Sequence, residues 1–325
     1  MKQIIVNENQ AGQRLDKLLL KILNKAPKSF VYKMLRKKNI VLNGKKAEGS
    51  EIVQIEDEIK LYLSDDTIDK FSAQMEIMIT DHDLDILYED RNILIVNKPV
   101  GVLSQKAAGT DYSMVEYIIS YMLSSGQIAN EQLQSFKPGI CNRLDRNTGG
   151  LLIAGKTLTG LQEMARLFRE RKLDKYYLCI VKGSLNETNK ITGYLKKDAA
   201  SNIVTISSRQ SEDSDYIATE YQPLACGNEY TLLQVKLITG KSHQIRAHLA
   251  SIGHPIIGDS KYGDRKVNNY FNQRYGLKSQ LLHSYRCVFP QLLGSLSNLS
   301  GCEFKAPEPA VFRTIIRDLF GNIVW

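Results

Sequence analysis

The run from Cys141 to Thr157, CNRLDRNTGGLLIAGKT, sets one carboxylate, Asp145, among Asn142, Arg143, Arg146, Asn147 and Thr148, and its polar half ends in Gly149-Gly150. Leu151 to Ala154 then form an apolar run with strand character. An acid on a glycine-hinged loop leading into a buried strand is well placed for chemistry, because the sheet fixes position while the loop gives access. Such a carboxylate can attack an electron-poor carbon or steady the charge that develops on it. Further on, Ser242 to Leu249 reads as a helix entered through Thr239-Gly240. His243 and Arg246 are three apart and share a face, whereas His243 and His248 are five apart and point roughly 140° away from each other. A zinc pair on one helix would want histidines four apart. Arg246 is the better-placed group to partner a carboxylate, and a guanidinium beside an acid favours its ionised form.

Each of these residues has a plain structural reading beside the chemical one. Arg-Leu-Asp is a common tripeptide, and the chain has a second copy, Arg14-Leu15-Asp16, within a helical repeat of Leu15, Leu18, Leu19, Ile22 and Leu23. There Asp16 is expected to be a first-turn acid facing solvent. Arg246 could equally satisfy backbone carbonyls. The elements that would position both residues come from the rest of the chain.

With 325 residues the chain exceeds the size at which one core usually stops growing, so two domains are expected. No uncharged apolar run approaches the roughly 20 residues a bilayer requires, and MKQIIVNENQ lacks the apolar stretch of a signal peptide. A cytoplasmic protein with no membrane partner is expected. The five cysteines are scattered and form no Cys-x-x-Cys pair, which argues for reduced thiols rather than a zinc site or a disulfide framework. Net charge is +8, unevenly spread: residues 12–46 hold eleven Lys/Arg and one acid, and residues 47–90 hold two Lys/Arg and fourteen acids. Concentrated positive charge on a small unit is the footprint of nucleic-acid binding, although a solvated lysine face has the same composition.

The basic segment reads as a helix from Gln13 to Asn24, a break at Pro27, and a second helix capped by Ser29 and running to Lys37. Two short strands follow, Ile40 to Leu42 and Lys45 to Ala47, joined by the hairpin signal Asn43-Gly44. Lys33, Arg36 and Lys37 fall on one helical face, and Lys45 and Lys46 extend the patch onto the hairpin. Residues 64–80 read as an acidic linker. After it come a strand at Ile93 to Val96, a turn at Asn97 to Gly101, a helix from Leu158 to Phe168, and strands at Tyr176 to Val181, Ile203 to Ile206, Ile217 to Tyr221, Thr231 to Ile238 and Leu281 to Phe289. A helix from Ala310 to Phe320 closes the chain. Many strands with few helices indicate an α+β domain around a mostly antiparallel, mixed sheet.

The stretch Lys-Asn-Ile-Val-Leu-Asn-Gly-Lys after two helices resembles the small S-four-type RNA-binding domain, assigned to residues 1–63. Four stretches of residues 81–325 resemble the RluA-type pseudouridine synthases: Asn97 to Gly101, Asn142 to Thr157, Lys175 to Gly183 (KYYLCIVKG), and Leu237 to Gly263 with TGKSHQIRAHL and GHPIIGD. Phe304-Lys305-Ala306-Pro307 is similar to that family's C-terminal segment. The resemblance implies a pseudouridine synthase domain preceded by a small α/β RNA-binding domain. Asp145 would be the catalytic aspartate and Arg246 its ion-pair partner. Tyr177 would stack on the uracil and help remove its C5 proton, while Arg143 would fill the space of the flipped base.

The implied reaction, isomerisation of uridine in RNA, requires no metal and no nucleotide cofactor. Large-subunit (23S) ribosomal RNA is the expected substrate, transfer RNA the alternative, and a monomer the expected form. A non-catalytic ribosome-assembly protein of the same fold is the reading from a different class, and the intact Asp145, Tyr177 and Arg246 argue against it. The chain departs from the family pattern at Asn142, at Thr148-Gly149-Gly150 and at Lys241, and it has Ser104-Gln105 where many members carry a His.

Overall fold

The computed structural model describes residues 1–72, 83–107, 111–198 and 203–323. The small domain comprises β1 (Lys2–Ile5), α1 (Leu15–Ile22), α2 (Lys28–Arg36), β2 (Ile40–Leu42), β3 (Lys45–Lys46) and β4 (Glu58–Leu61), with the sheet ordered β1-β4-β2-β3. Leu15, Leu18, Leu19 and Ile22 bury the inner face of α1, as their spacing requires. The hairpin turn forms at Asn43 and Gly44, with φ 52° and 71°.

Three details of the small domain differ from the sequence expectation. Helix α2 starts one residue before Ser29, because Pro27 is held at φ −67° and its carbonyl accepts Phe30 N and Val31 N. Helix α1 starts at Leu15 rather than Gln13. The segment 49–53 crosses its entrance, with Leu15 N donating to Glu51 O and Asp16 N to Gly49 O. That crossing also buries Asp16, expected at the surface. Its carboxylate accepts Arg14 Nε and Nη2 at 3.1 and 2.9 Å and Tyr32 Oη at 2.7 Å. These bonds, Arg14's foremost, hold its pKa down at about 2 against the opposing effect of burial.

The first part of the expected linker is structured. Ser64 caps α3 (Asp65–Phe71), Ile68 is buried, and Phe71 packs on Phe30 at 4.3 Å. Lys25 N donates to Phe71 O, so this helix belongs to the small domain's packing. Residues 73–80 of that linker lie outside the described residues.

The larger domain is an 11-stranded sheet. In chain order its elements are β5 (Ile86–Glu89), β6 (Ile93–Lys98), α4 (Met114–Ser124), β7 (Gly139–Ile140), β8 (Gly149–Gly155), α5 (Leu158–Arg169), β9 (Asp174–Lys182), β10 (Asn189–Asp198), β11 (Ile203–Ser207), β12 (Asp215–Cys226), β13 (Tyr230–Leu237), α6 (Gln244–Ser251), α7 (Arg265–Tyr275), β14 (Leu282–Val288), β15 (Glu303–Lys305) and α8 (Ala310–Phe320). The strand order is β11-β10-β12-β13-β9-β14-β8-β6-β5, with β15 on β14 and β7 on β8. Only the β14–β8 pairing is parallel among the described strands, which makes the expected α+β, mostly antiparallel but mixed sheet.

Strand β9 runs through the middle with both faces covered. Tyr177, Cys179 and Val181 pack with residues of α4 and α6, and Leu178 and Ile180 pack with residues of α7 and α8. Among the described residues no helix is long and apolar enough to cross a membrane. The two domains touch through residues 8–10: Gln10 Nε2 donates to Ser135 Oγ at 2.9 Å in a buried contact, Asn9 Oδ1 accepts Leu158 N at the start of α5, and Glu8 pairs with Arg91.

Where β8 meets β14, the two backbones approach so closely that only glycine fits. A Cβ on Gly150 would lie 2.1 Å from Ser284 O, and its φ is 109°. Gly150→Ala is expected to lower stability by about 3 kcal/mol or more. Gly276→Ala, also at positive φ but with nothing within 4 Å, should lose only about 1 kcal/mol. Thermal unfolding of the two variants measures the contrast.

Candidate functional site

The loop between β7 and β8 is held from below at alternate positions. Asn142 behaves like an extra backbone unit: its Nδ2 donates to Leu151 O at 3.2 Å and its Oδ1 accepts Ile153 N at 2.8 Å. Ser104, buried in the turn after β6, donates to Leu144 O at 2.8 Å and accepts Leu144 N at 3.0 Å. Gln280 Nε2 donates to Thr148 Oγ1 at 3.2 Å, and Thr148 N closes the turn onto Asp145 O.

Lys98, 1% exposed, donates all three ammonium hydrogens to carbonyls, of Pro99 (2.8 Å), Val102 (2.7 Å) and Arg146 (3.1 Å). Burial pulls its pKa down to about 8, with the charge of Asp145 working the other way. The ammonium is therefore still mostly protonated at neutral pH and joins the turn after β6 to the loop.

Held this way, Asp145 stands at the surface end of the loop with its side chain 27% exposed. Arg246 Nη1 donates to its Oδ2 at 2.8 Å, and His243 Nε2 lies 4.0 Å from the same oxygen. The expected pairing of Asp145 with Arg246 on the His243 face of α6 is present. Helix α6 begins at Gln244 rather than Ser242, and His243 sits before it in the left-handed region at φ 55°. The cause is Gln244, 2% exposed, whose Oε1 accepts Lys241 N and Thr239 Oγ1 while its Nε2 donates to Ala218 O. Burial lowers the His243 pKa, so the imidazole is neutral at pH 7. His248 turns away and pairs with Thr219 of β12.

Sequence reasoning left one acid of the site without a role, Asp259. It is 0% exposed and accepts four hydrogen bonds: Arg246 Nε (2.7 Å) and Nη2 (2.9 Å), Lys261 N (2.9 Å) and Tyr262 N (3.1 Å). The Arg246 guanidinium is thus shared, two bonds to Asp259 and one to Asp145. Burial opposes its charge, but the bonds and charge of Asp259, then of Asp145, outweigh that and raise its pKa. Asp259 stays ionised against the pull of burial because Arg246 and the two amides hold its pKa down. The Tyr262 ring lies 5.3 Å from the guanidinium carbon, and its hydroxyl bonds His243 Nδ1 and accepts Val204 N.

Tyr177 is 6% exposed and packs in the same cluster as Leu144 and Ile245. Burial pushes its phenol up to about 12, and the nearby charge of Asp145 adds to the shift. The ring is a neutral aromatic surface at pH 7. Arg143 is exposed on the loop two residues from Asp145. In the small domain Lys33 and Arg36 are exposed on α2, Lys37 is exposed at its C-terminal cap, and Lys45 and Lys46 are exposed on β3.

Residues 92–251 match the family model described as RNA pseudouridylate synthase, and residues 13–59 match that of the S4 domain. A protein called an uncharacterized RNA pseudouridine synthase, from Mycoplasma genitalium, is 30% identical over 322 residues, covering 97% of this chain and 98% of that protein. The ribosomal large subunit pseudouridine synthase C of Vibrio cholerae is 29% identical over 293 residues, 88% of each chain. Human RNA pseudouridylate synthase domain containing 4 shares the fold, with a TM-score of 0.57 and 20% identity over 71% of this chain and 91% of that one. The chain belongs to the RNA pseudouridine synthases. It is an enzyme that converts uridine to pseudouridine in RNA and carries an S4 RNA-binding domain ahead of its synthase domain.

Because Asp259 aims Arg246 while itself fully buried, Asp259→Asn should leave RNA binding nearly intact. It should lower kcat by about tenfold to a hundredfold, the scale on which loss of a bidentate charge partner misplaces a donor. Single-turnover rates beside equilibrium binding of the same transcript separate the two effects. A parallel loss of binding and rate would mean that the site has collapsed rather than shifted.

Proposed function

We propose that the enzyme acts in the cytoplasm, as a monomer, on uridines of large-subunit ribosomal RNA, with Asp145 as its catalytic carboxylate. The bond of 2.8 Å from a buried, doubly anchored Arg246 to a partly exposed Asp145 carries this reading. The Asp145 side chain is 27% exposed, which lets a ribose approach the carboxylate. The Asp145 carboxylate engages C1′ of the target as the N1–C1′ bond breaks. The freed base turns within the site, C5 bonds to C1′ as the carboxylate is released, the C5 proton leaves and N1 takes up a proton.

Tyr177 serves as the stacking surface for the uracil. A phenol held near 12 favours that role over proton acceptor at neutral pH. Taking the target out of its stack costs a few kcal/mol, which stacking and an inserted Arg143 partly offset. Ribosomal RNA is favoured because relatives such as the Vibrio protein are named for the large ribosomal subunit.

Release of the C5 hydrogen from uridine in RNA transcripts tests the catalytic assignment. Wild type should release it and form pseudouridine, and Asp145→Asn should do neither while still binding RNA. Substantial activity in Asp145→Asn would remove the carboxylate from the reaction. Mapping pseudouridine in total RNA from cells lacking the protein tests the substrate: missing sites in transfer RNA alone would replace ribosomal RNA.

The S4-domain patch gives a separate expectation. Neutralising Lys33, Arg36 and Lys37 should flatten the salt dependence of binding by about one unit of slope per lost phosphate contact. An unaltered slope would mean that these side chains face only solvent.

A further inference from the structure

Helix α7 has a composition that its fold does not explain. Its inner face is ordinary: Val267, Phe271 and Tyr275 pack into the core beside α8, Phe271 being fully buried. The outer face, Arg265, Lys266, Asn269, Tyr270, Gln273 and Arg274, is exposed, and the helix contains no acid. Arg265 and Lys266 stand in the first turn, where the helix dipole disfavours cations and folding alone would select Asp or Glu. Two N–H groups of that turn, those of Lys266 and Val267, are taken by the Asp264 cap at 2.8 and 3.2 Å.

The acids near this face are accounted for. Asp264 pairs with Lys182 at 2.7 Å, and Asp318 of α8 acts on Arg274 and Tyr275. Arg265, Lys266 and the following Lys278 have no carboxylate partner among the described residues, and all three are exposed. Tyr270 is 46% exposed and takes a 2.7 Å hydrogen bond from Arg274 Nη1, which presents a ring and a guanidinium together.

The helix is also tied to the catalytic centre. Asn268 Oδ1 accepts Gly258 N at 2.7 Å and its Nδ2 donates to Asp259 O at 2.8 Å. That turn carries the carboxylate that holds Arg246. The outer face of α7 is therefore fixed relative to Asp145 through Asn268, Asp259 and Arg246.

We propose that the outer face of α7, which lies across the sheet from Tyr177, is an RNA-contacting surface separate from the S4 patch, and that it takes phosphate groups of the folded RNA beyond the nucleotides at Asp145. Phosphate oxygens suit what the face offers: long unpaired cations, exposed amide donors in Asn269 and Gln273, and a ring for a neighbouring base or sugar. Acidic proteins are the poorer match, because the amides and Tyr270 between the cations suit a polyanion with stackable groups. The proposal rests on the reading of the chain as an enzyme that acts on folded RNA.

The test uses the full-length protein and a ribosomal RNA transcript containing a converted uridine. Binding is followed by fluorescence anisotropy across a potassium chloride series, beside single-turnover conversion. The variant Arg265→Gln, Lys266→Gln, Lys278→Gln should bind roughly tenfold more weakly at low salt, with a salt slope reduced by about 0.7 to 0.9 per lost contact. Its rate at saturating enzyme should equal that of wild type. Tyr270→Ala should weaken binding without changing the slope. Unchanged affinity and slope in an active triple variant would overturn the proposal and leave the enzymatic reading standing. If wild type converted no uridine while the triple variant still lost affinity, the enzymatic reading would fall and this surface would remain. Loss of thermal stability in the triple variant would also count against the proposal, because it would give these residues a structural use.

Discussion

One buried guanidinium shared by two carboxylates organises the catalytic half of this protein. Arg246 is 6% exposed in its side chain, and an ion so placed needs a permanent counter-charge. Asp259 supplies it: fully buried, doubly bonded to Arg246, and with its remaining acceptor capacity taken by two backbone amides. Asp145 is thereby released from the task of neutralising Arg246. It receives one bond and keeps contact with solvent, as a group that must meet a substrate requires. Two carboxylates and one guanidinium leave one negative charge in excess. The Lys98 ammonium, near enough to Asp145 for their charges to interact and still protonated at neutral pH, balances it.

Precision in the site comes from the loop's underside. Side chains of Lys98, Ser104, Asn142 and Gln280 bond backbone or side-chain atoms of residues 144, 146, 148, 151 and 153, so the path around Asp145 is bound at nearly every second residue. Loop carbonyls buried without partners would each be expensive, and these bonds meet that demand while removing freedom from the loop. The parallel β8–β14 contact at Gly150 closes the arrangement, since it lets β14 approach the loop's exit without a side chain between them.

Much of the fold was legible because its signals are local. Apolar runs gave β6, β8, β9, β13 and β14, period-3.6 spacing gave α1, α5 and α8, and Asn-Gly gave the hairpin. Other elements escaped, α4, α7, β1, β4 and β15 among them, and three further cases show why. Helix α3 hides in an acidic stretch because only Ile68 and Phe71 anchor it. Strand β10, NKITGYLKKD, buries only Gly193 and Leu195 and is paired on both sides by β11 and β12. Asp259 carries no signal of its role, because its partner lies 13 residues earlier and meets it only after a helix and a turn. Asp145, Tyr177 and Arg246 could be named in advance only through a family pattern, and spacing alone could not have joined residues 145 and 246.

The two Arg-Leu-Asp copies show what separates a structural acid from one available for chemistry. Asp16 receives three side-chain hydrogen bonds from Arg14 and Tyr32 and has its pKa held at about 2. A carboxylate depressed in this way adds stability above its ordinary pKa, and that stability is lost only as pH falls toward 2. At 4% exposure it gives a ligand no approach. In the second copy the preceding arginine, Arg143, points outward, and the partner instead comes from a distant helix whose guanidinium is already committed to Asp259. The same three letters therefore give a saturated carboxylate in one setting and an unsaturated one in the other. The number of donors already spent on the oxygens, which the tertiary fold decides, marks the difference.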